Sequence, residues 1–422
     1  MSARRRSERR PLLSAAEAAS ELGVKPATLY AYVSRGLLRS HAGANPRSRL
    51  YPRDEVEALR LRRQGRRDPA AVSQEALSWG LPVLESAITL IRDGGLFYRG
   101  HEVGALARER SFEEVASLLW LGDFARSAEL FPVRSAELPL SWRRVVSSLR
   151  DRHPGERLQV VLRFAANEDP AAMDLLPERL AAWGARLLAL LIATVGGRRH
   201  RAGEPLLGPL VDAWAPGVPE AERLLHGALI LCGDHELNVS SFTARCVASA
   251  GSSPYEALAA ALGALRGFRH GGHSDRVEDM LAELGVHRII EGPLPRHEVR
   301  RQVEERLQRG ERIPGFGHPL YRDGDPRWPV LIELLDRAFP ASPSVDAARE
   351  VAAEVERLIG QRPTIDFALA TLSLQLALGP GGAFTVFALG RTAGWIGHVM
   401  EEYARGRLIR PRARYTGPVP VV

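Results

Sequence analysis

Leu187-Leu-Ala-Leu-Leu-Ile-Ala-Thr-Val-Gly-Gly197 is the longest apolar run in the sequence, closed off by Arg186 and Arg198. Eleven residues are too few to cross a bilayer, which takes about 20 residues of helix, so the run reads as a buried helix. Working outward, Ala- and Leu-rich stretches with Arg and Glu at three- and four-residue spacing recur from Phe112 to Leu262, the period of amphipathic helices. Strand signals are few. The clearest is Ser86-Ala-Ile-Thr-Leu-Ile91, an Asp93-Gly-Gly turn and Leu96-Phe-Tyr98, which reads as a small hairpin. The expected body is mainly α, with a little β at its start.

The 422 residues exceed what one hydrophobic core usually fills, so two or three domains are expected. Hydrophobic residues make up 45% and charged residues 25%, which excludes a disordered chain, a collagen or a coiled-coil rod. Two cysteines, Cys232 and Cys246, do not make a disulfide scaffold and point to a reducing compartment. The basic start MSARRRSERR is followed by no apolar core and is not a secretory signal. A cytoplasmic protein that does not enter membranes is expected.

The formal charge of +7 is unevenly placed. Residues 1–70 hold 16 Lys and Arg against 7 Asp and Glu, while the rest holds 41 against 43. A basic segment on a near-neutral body suggests a polyanion-binding module. That segment also has the pattern of a folded unit. Ser14-Ala-Ala-Glu17 is a capping box opening a helix to Leu22, where Gly23 stops it. Pro26 starts a second helix that ends at Ser34-Arg35-Gly36. Two short strands follow around HAGANPRSR, and Pro52-Arg53-Asp54 opens a third helix. The unit, residues 1–67, resembles the winged helix-turn-helix of the excisionase and mercury-regulator type. That resemblance implies binding to double-stranded DNA, or service as a protein-interaction adaptor. Lys25, Thr28, Tyr30 and Arg35 would reach bases or phosphates from the second helix, and Arg47 and Arg49 from the hairpin. Tyr30 and Tyr32 are equally candidates for the core. A polar linker, residues 68–77, separates this unit from the body.

Two histidine arrays stand in the body. One is Gly233-Asp-His235-Glu-Leu-Asn238 with Arg266-Gly-Phe-Arg-His270-Gly-Gly-His273; the other is Pro314-Gly-Phe-Gly-His318. No two of these histidines lie four apart and no Cys accompanies them at ligand spacing, so no metal site is expected. Glycines beside a histidine let backbone approach a ligand and present the imidazole at the end of an element, poised for proton transfer or carbonyl polarisation. Downstream, Asp325-Pro-Arg327, Gly390-Arg391-Thr-Ala-Gly-Trp395 and Ile409-Arg410-Pro-Arg412 each set Arg beside Pro or Gly. Three fixed guanidinium forks suit a substrate with two or more carboxylates.

Taken together these motifs resemble citrate synthase. The similarity runs from ITLIRDGGLFYRG and SFEEVASLLWLGD through GDHELNVSSFTARCVAS, LRGFRHGG, IPGFGHPLYRDGDPR, TIDF and GRTAGWIGHVMEE to RPRARYTG, in order and with matching spacing. The resemblance implies an all-α homodimer. Its large domain would be residues 78–275 and 381–422 and its small domain 276–380, with the active site between them. It implies an acyltransferase that condenses acetyl-CoA with oxaloacetate and needs no cofactor beyond the CoA thioester, which is substrate. By resemblance Asp366 removes the thioester methyl proton, His270 stabilises the enol, and His318 polarises and then protonates the ketone of oxaloacetate. His235, Arg327, Arg391 and Arg410 would hold its carboxylates, Arg410 from the other subunit. Ile313, Pro314, Gly315, Phe316 and Gly317 would lie along the CoA adenine, with Arg322 near its phosphates.

The sequence departs from the family at two places. Pro319 follows the GFGH histidine where many members carry Arg, and His273-Ser274-Asp275 replaces the Ala-Asn-Glu that follows their HGG. Propionyl-CoA as the acyl donor, making a 2-methylcitrate synthase, and a DNA-binding metabolite sensor with a non-catalytic body are the other readings.

Overall fold

Ser14 and Glu17 cap the first helix reciprocally in the computed structural model. The Glu17 N–H donates to Ser14 Oγ at 3.3 Å, and the Glu17 carboxylate takes the Ser14 N–H at 2.8 Å. The structure describes residues 12–42, 48–53, 55–56, 59–60, 84–131, 140–149, 151–286, 296–321, 323–413 and 415–418. The expectations placed on residues 1–10, Arg47, the linker and Arg322 lie outside them. The chain divides into two compact units, Met1–Glu85 with Pro411–Val422, and Ser86–Arg410.

In the first unit, β1 (Leu12–Ser14) leads into α1 (Ala15–Leu22) and α2 (Pro26–Ser34), followed by β2 (His41–Ala42) and β3 (Arg49–Pro52). β3 is the middle strand of an antiparallel sheet ordered β1-β3-β2, with Leu12 opposite Pro52 and His41 opposite Leu50. The strand β1 was not expected: at three residues it is too short to show a period. Arg53, Glu55, Val56, Leu59 and Arg60 are helical, as expected after Pro52. Leu13, Ala18, Ala19, Leu22, Leu29, Leu38, Tyr51, Val56 and Leu59 form the core. Tyr30 stands outside it, 53% exposed.

The second unit opens with β4 (Thr89–Arg92), β5 (Gly95–Tyr98) and β6 (His101–Glu102), a meander in which Thr89 faces Tyr98 and Tyr98 faces His101. The expected hairpin thus carries a third short strand. Sixteen helices follow among the described residues: α3 (Val103–Glu109), α4 (Phe112–Leu121), α5 (Ser127–Leu130), α6 (Leu140–Ser148), α7 (Pro154–Glu168), α8 (Pro177–Val195), α9 (Gly208–Trp214), α10 (Ala221–Cys232), α11 (Val239–Ser249), α12 (Pro254–Leu265), α13 (His273–Glu283), α14 (Arg296–Gln308), α15 (Arg327–Ala338), α16 (Pro343–Ile359), α17 (Ile365–Gln375) and α18 (Gly382–Arg405). The fold is mainly α. The apolar run falls in α8 up to Val195, with Gly196 at the helix end, and Leu187 to Ile192 are all buried. Among the described residues no helix is long and apolar enough to cross a membrane.

α18 is the axis of this unit. Arg391 is its only formally charged residue before Glu401, and Gly382 to Met400 are buried without a break, the pattern of a helix covered on all sides. It packs against α4, α7, α8, α10, α11, α12, α13 and α17. Gly390 and Gly394 let the end of α10 come close. A Cβ at Gly390 would lie 2.5 Å from Leu229 O, and one at Gly394 2.3 Å from Gly233 O. The Gly394 N–H instead donates to Gly233 O at 3.1 Å. This contact sets the register of Arg391 against the histidine turn that follows α10.

Candidate active site

That turn, Gly233–Asn238, is fastened from below. The Tyr98 hydroxyl accepts from the Asp234 N–H at 2.8 Å and lies 3.0 Å from Ile230 O and 2.9 Å from Asp234 O. The buried Asp234 carboxylate takes Thr89 Oγ1 at 2.6 Å and faces His398 Nε2 at 3.2 Å. Burial works to raise the Asp234 pKa, but His398 and Arg391 outweigh it and hold the carboxyl below its ordinary value. Asn238 then caps α11, its Oδ1 accepting from the N–H groups of Ser240 and Ser241. With its ends fixed, the turn presents His235. His235 Nε2 lies 2.9 Å from the Tyr321 hydroxyl, and its ring is 5.3 Å edge-on from His318.

His318 and Tyr321 stand on the loop before α15, rings 4.8 Å apart. The Leu320 N–H donates to His318 Nδ1 at 3.2 Å, which assigns the proton of the neutral imidazole to Nε2. His270 lies in the turn between α12 and α13, its Nε2 2.8 Å from Ser240 Oγ. Trp395 Nε1 donates into the same oxygen at 3.0 Å. Ser240 thus has one proton and two acceptors in reach, His270 Nε2 and Asn238 Oδ1 at 2.7 Å. Asn238 Oδ1 is already served by two backbone donors. A Ser240 proton given to His270 leaves Nδ1–H as that ring's free donor.

Burial drives all three imidazoles toward neutrality. The His270 pKa falls to about 3, with Arg391 adding to the effect. The His318 pKa falls to about 4, with Arg327 adding. His235 is pushed well below its ordinary value by burial and then by the charges of Arg327, Arg391, His318 and His270.

The arginines divide. Arg391 is buried on α18, its guanidinium 4.8 Å over the Phe387 ring, and Phe387 in turn meets the His270 ring at 6.1 Å. Its Nε donates to Cys232 O at 2.8 Å, while the buried NH1 and NH2 have no partner. Burial holds its pKa below the ordinary arginine value. Arg327, buried at the start of α15, already has a carboxylate: Nε and NH2 grip Asp325 at 2.9 and 2.7 Å. Burial works against its charge, but Asp325 outweighs it and keeps the pKa raised. Arg410 is exposed, next to Ile409, whose N–H donates to Ser249 Oγ. Of the three expected forks, one is open, one is half-occupied, and one stands apart from the buried cluster.

Asp366 occupies the second position of α17, whose cap position is Thr364, so it is not the helix cap it resembles in sequence. Ser274 Oγ donates to Asp366 Oδ1 at 2.7 Å, and Thr364 Oγ1 lies 3.5 Å from Oδ2. Neither bond goes to an imidazole. The carboxylate is tied to the group through Ser274, four residues after His270. The loop 313–317 is folded over α17: Gly317 N–H donates to Arg362 O, and Gly315 O accepts from Thr364 N–H. Ile313 and Phe316 turn inward, Phe316 lying 4.8 Å from Phe367. This leaves backbone, Pro314 and Gly317 toward any ligand. Gly315 has φ +80°, and a Cβ there would press on Phe367 and Val277, so only glycine fits.

Asp325, Ser240, Ser274 and Tyr321 were not singled out from sequence. Each stands within a quoted motif, but only a partner distant in the chain reveals its task. On the first unit, Lys25, Arg35 and Arg49 are exposed with Tyr30, and Thr28 is half-buried.

Residues 76–412 match the family described as citrate synthase, C-terminal domain, and residues 12–64 match a helix-turn-helix domain. Citrate synthase 2 of Bacillus subtilis is 31% identical over 366 residues, covering 80% of this chain and 95% of that protein. A 2-methylcitrate synthase of Mycobacterium tuberculosis is also 31% identical over 366 residues, covering 80% of this chain and 89% of its own length. Among solved structures, the citrate synthase of Thermotoga maritima superposes with a TM-score of 0.68 at 27% identity, covering 81% of this chain and 95% of that one. That of Pyrobaculum aerophilum gives a TM-score of 0.71 at 24% identity, over 81% and 92%. With a helix-turn-helix domain at its N-terminus, this chain belongs to the citrate synthase family.

Proposed function

We propose that the chain condenses acetyl-CoA with oxaloacetate to give citrate and CoA. The observation that carries this reading is the pair of buried, unpartnered nitrogens on Arg391, set among three neutral imidazoles and a second arginine. A buried guanidinium edge without an acceptor is costly, and a carboxylate of the substrate satisfies it with two charge-assisted bonds. His235 and the remaining edge of Arg327 hold the other end of the dianion. Arg410, exposed in one chain, completes the site of a second copy in a homodimer.

A thioester methyl is a very weak acid, so its proton leaves only if a base and an oxygen-directed donor act together. Asp366 takes the proton. His270, with Nδ1–H directed by Ser240, donates to the developing enol oxygen. The enol carbon attacks the ketone carbon of oxaloacetate, and His318 Nε2–H protonates the oxygen of that ketone as the C–C bond forms. Water then cleaves the citryl thioester and releases CoA. Thiol release from acetyl-CoA and oxaloacetate tests the reading. No release by the wild type, with Asp366→Ala indistinguishable from it, removes the reading.

Propionyl-CoA is the alternative donor, since relatives of both names are equally similar. One methylene in an acyl pocket discriminates by about 1–3 kcal/mol, so kcat/KM for the two donors decides. The helix-turn-helix match, with Lys25, Thr28, Tyr30, Arg35 and Arg49 on its surface, supports DNA binding as a second role. Duplex binding that weakens steeply with salt is expected, with Arg35→Ala reducing the slope by about one. Absence of duplex binding at low salt removes that role. The two free cysteines suit a cytoplasmic setting.

A further inference from the structure

The three residues at which the sequence departs from the family after HGG, His273, Ser274 and Asp275, make up the first turn of α13. Each is tied in a different direction. His273 Nε2 accepts from the Gly315 N–H at 3.1 Å. Ser274 donates to Asp366, the candidate base, at 2.7 Å. Asp275 turns the other way, to His153, which stands just before α7: His153 Nε2 lies 3.3 Å from Asp275 Oδ2. His153 is also the cap of α7, its Nδ1 accepting from the Gly155 N–H at 3.1 Å. A neutral imidazole whose Nδ1 accepts carries its proton on Nε2, so an N–H is aimed at the carboxylate. Among the described residues, His153 Nε2 and Asp275 Oδ1 are buried and make no hydrogen bond, which leaves the two side chains to each other.

The His153 ring is a fixed post. It packs edge-on against Phe384 at 5.0 Å, and Gly381 comes so close that a Cβ there would lie 3.0 Å from Nε2. One turn beyond Asp275, Glu278 accepts from the N–H groups of Gly381 and Ala383 at 2.9 and 2.7 Å, so α13 is fastened to the start of α18 beside that post. Ser274 and Asp275 are adjacent in the chain, and a rotation of their turn moves both. Holding Asp275 therefore holds the direction in which Ser274 Oγ points. A misplacement of about 1 Å at a reacting group costs about a hundredfold in rate, so the aim of the base is worth fixing from both sides. Resting on the condensation proposed above, we infer that His153 and Asp275 are positioning residues for Asp366. Their contact fixes the turn that aims Ser274 at its carboxylate, and neither touches substrate.

Thiol-release kinetics of the full chain test this through a double-mutant cycle. Asp275→Ala leaves the α7 cap and the packing of the His153 ring in place; it lowers kcat by about five- to tenfold and leaves both KM values as they are. His153→Asn keeps a capping side chain for α7 but falls short of Asp275, and gives a loss of the same size. In a Ser274→Ala background either substitution costs little more, because the aim that it controls has already gone. A contact that only stabilises the fold lowers the thermal midpoint and multiplies kcat by the same factor in both backgrounds. Should His153→Asn fail to fold, Asp275→Ala decides alone. Wild-type kcat in Asp275→Ala, or an undiminished loss in the Ser274→Ala background, overturns the assignment and leaves the condensation reading standing. A wild type that releases no thiol overturns that reading, and this assignment with it.

Discussion

Arg391 Nε donates to the carbonyl oxygen of Cys232 at 2.8 Å, and this one bond anchors a guanidinium whose two other nitrogens are buried without acceptors. The anchor fixes the direction of the fork, and the proposed function sets a substrate carboxylate on its open side. A protein that binds its substrate here is stabilised by it. Oxaloacetate at about a hundred times its dissociation constant adds about 2.7 kcal/mol to the wild type, seen as a rise in thermal midpoint. Arg391→Met shows no such rise, because the fork that would take the substrate carboxylate has gone. An equal ligand-induced rise in the variant would contradict this.

Asp325 and Arg327 form the buried pair that keeps the second arginine charged, and Asp325 also accepts the Ile365 N–H at 3.0 Å, tying α15 to the start of α17. Asp325→Ala leaves Arg327 unpaired in the interior. A loss of about 3–5 kcal/mol is expected from urea unfolding. A loss under 1 kcal/mol would show that water or another group takes over.

Ser274→Ala removes the donor to Asp366 Oδ1 and frees the carboxylate to rotate. The expected result is a kcat lower by about ten- to a hundredfold with little change in either KM, because orientation of the base matters in the transition state and not in binding. Ser274→Thr retains the hydroxyl and recovers most of the rate. A kcat equal to wild type in Ser274→Ala would show that the bond is incidental.

His273→Ala removes the acceptor for the Gly315 N–H and loosens the loop from α13. The acyl-CoA KM rises several-fold, while kcat at saturation and the oxaloacetate KM hold. His273→Gln, whose amide oxygen accepts the same bond, restores the KM. Equal KM values in all three proteins would remove the role.

The three low imidazole pKa values make a statement about acid stability. In the unfolded chain histidine titrates near 6.5; folded, His270 does so near 3 and His318 near 4, with His235 shifted the same way. Between those values the unfolded state binds more protons. Their neutral burial is therefore fully tolerated above pH 6.5 and costs stability progressively as pH falls toward 4. Each contributes a slope of up to about 1.4 kcal/mol per pH unit. Urea midpoints measured across this window fall with acid, and His270→Asn makes the fall shallower by one proton. An unchanged slope in the variant would place the His270 titration elsewhere.

Much of the architecture was legible from neighbouring residues. The Ser14–Glu17 capping box, the Pro26 start, the Gly94 turn and the apolar run of α8 are local devices, in which a residue's conformation depends on others within a few positions. The histidine and arginine motifs were legible for the same reason, as glycine- or proline-flanked ends of elements. The open state of Arg391, the occupation of Arg327 by Asp325, the inward turn of Phe316 and the link from Ser274 to Asp366 were decided only by tertiary packing. Arg391 and Cys232 are 159 positions apart, and Ser274 and Asp366 are 92 apart. Charge state and direction at such sites are set by what burial brings alongside, and no local pattern encodes that.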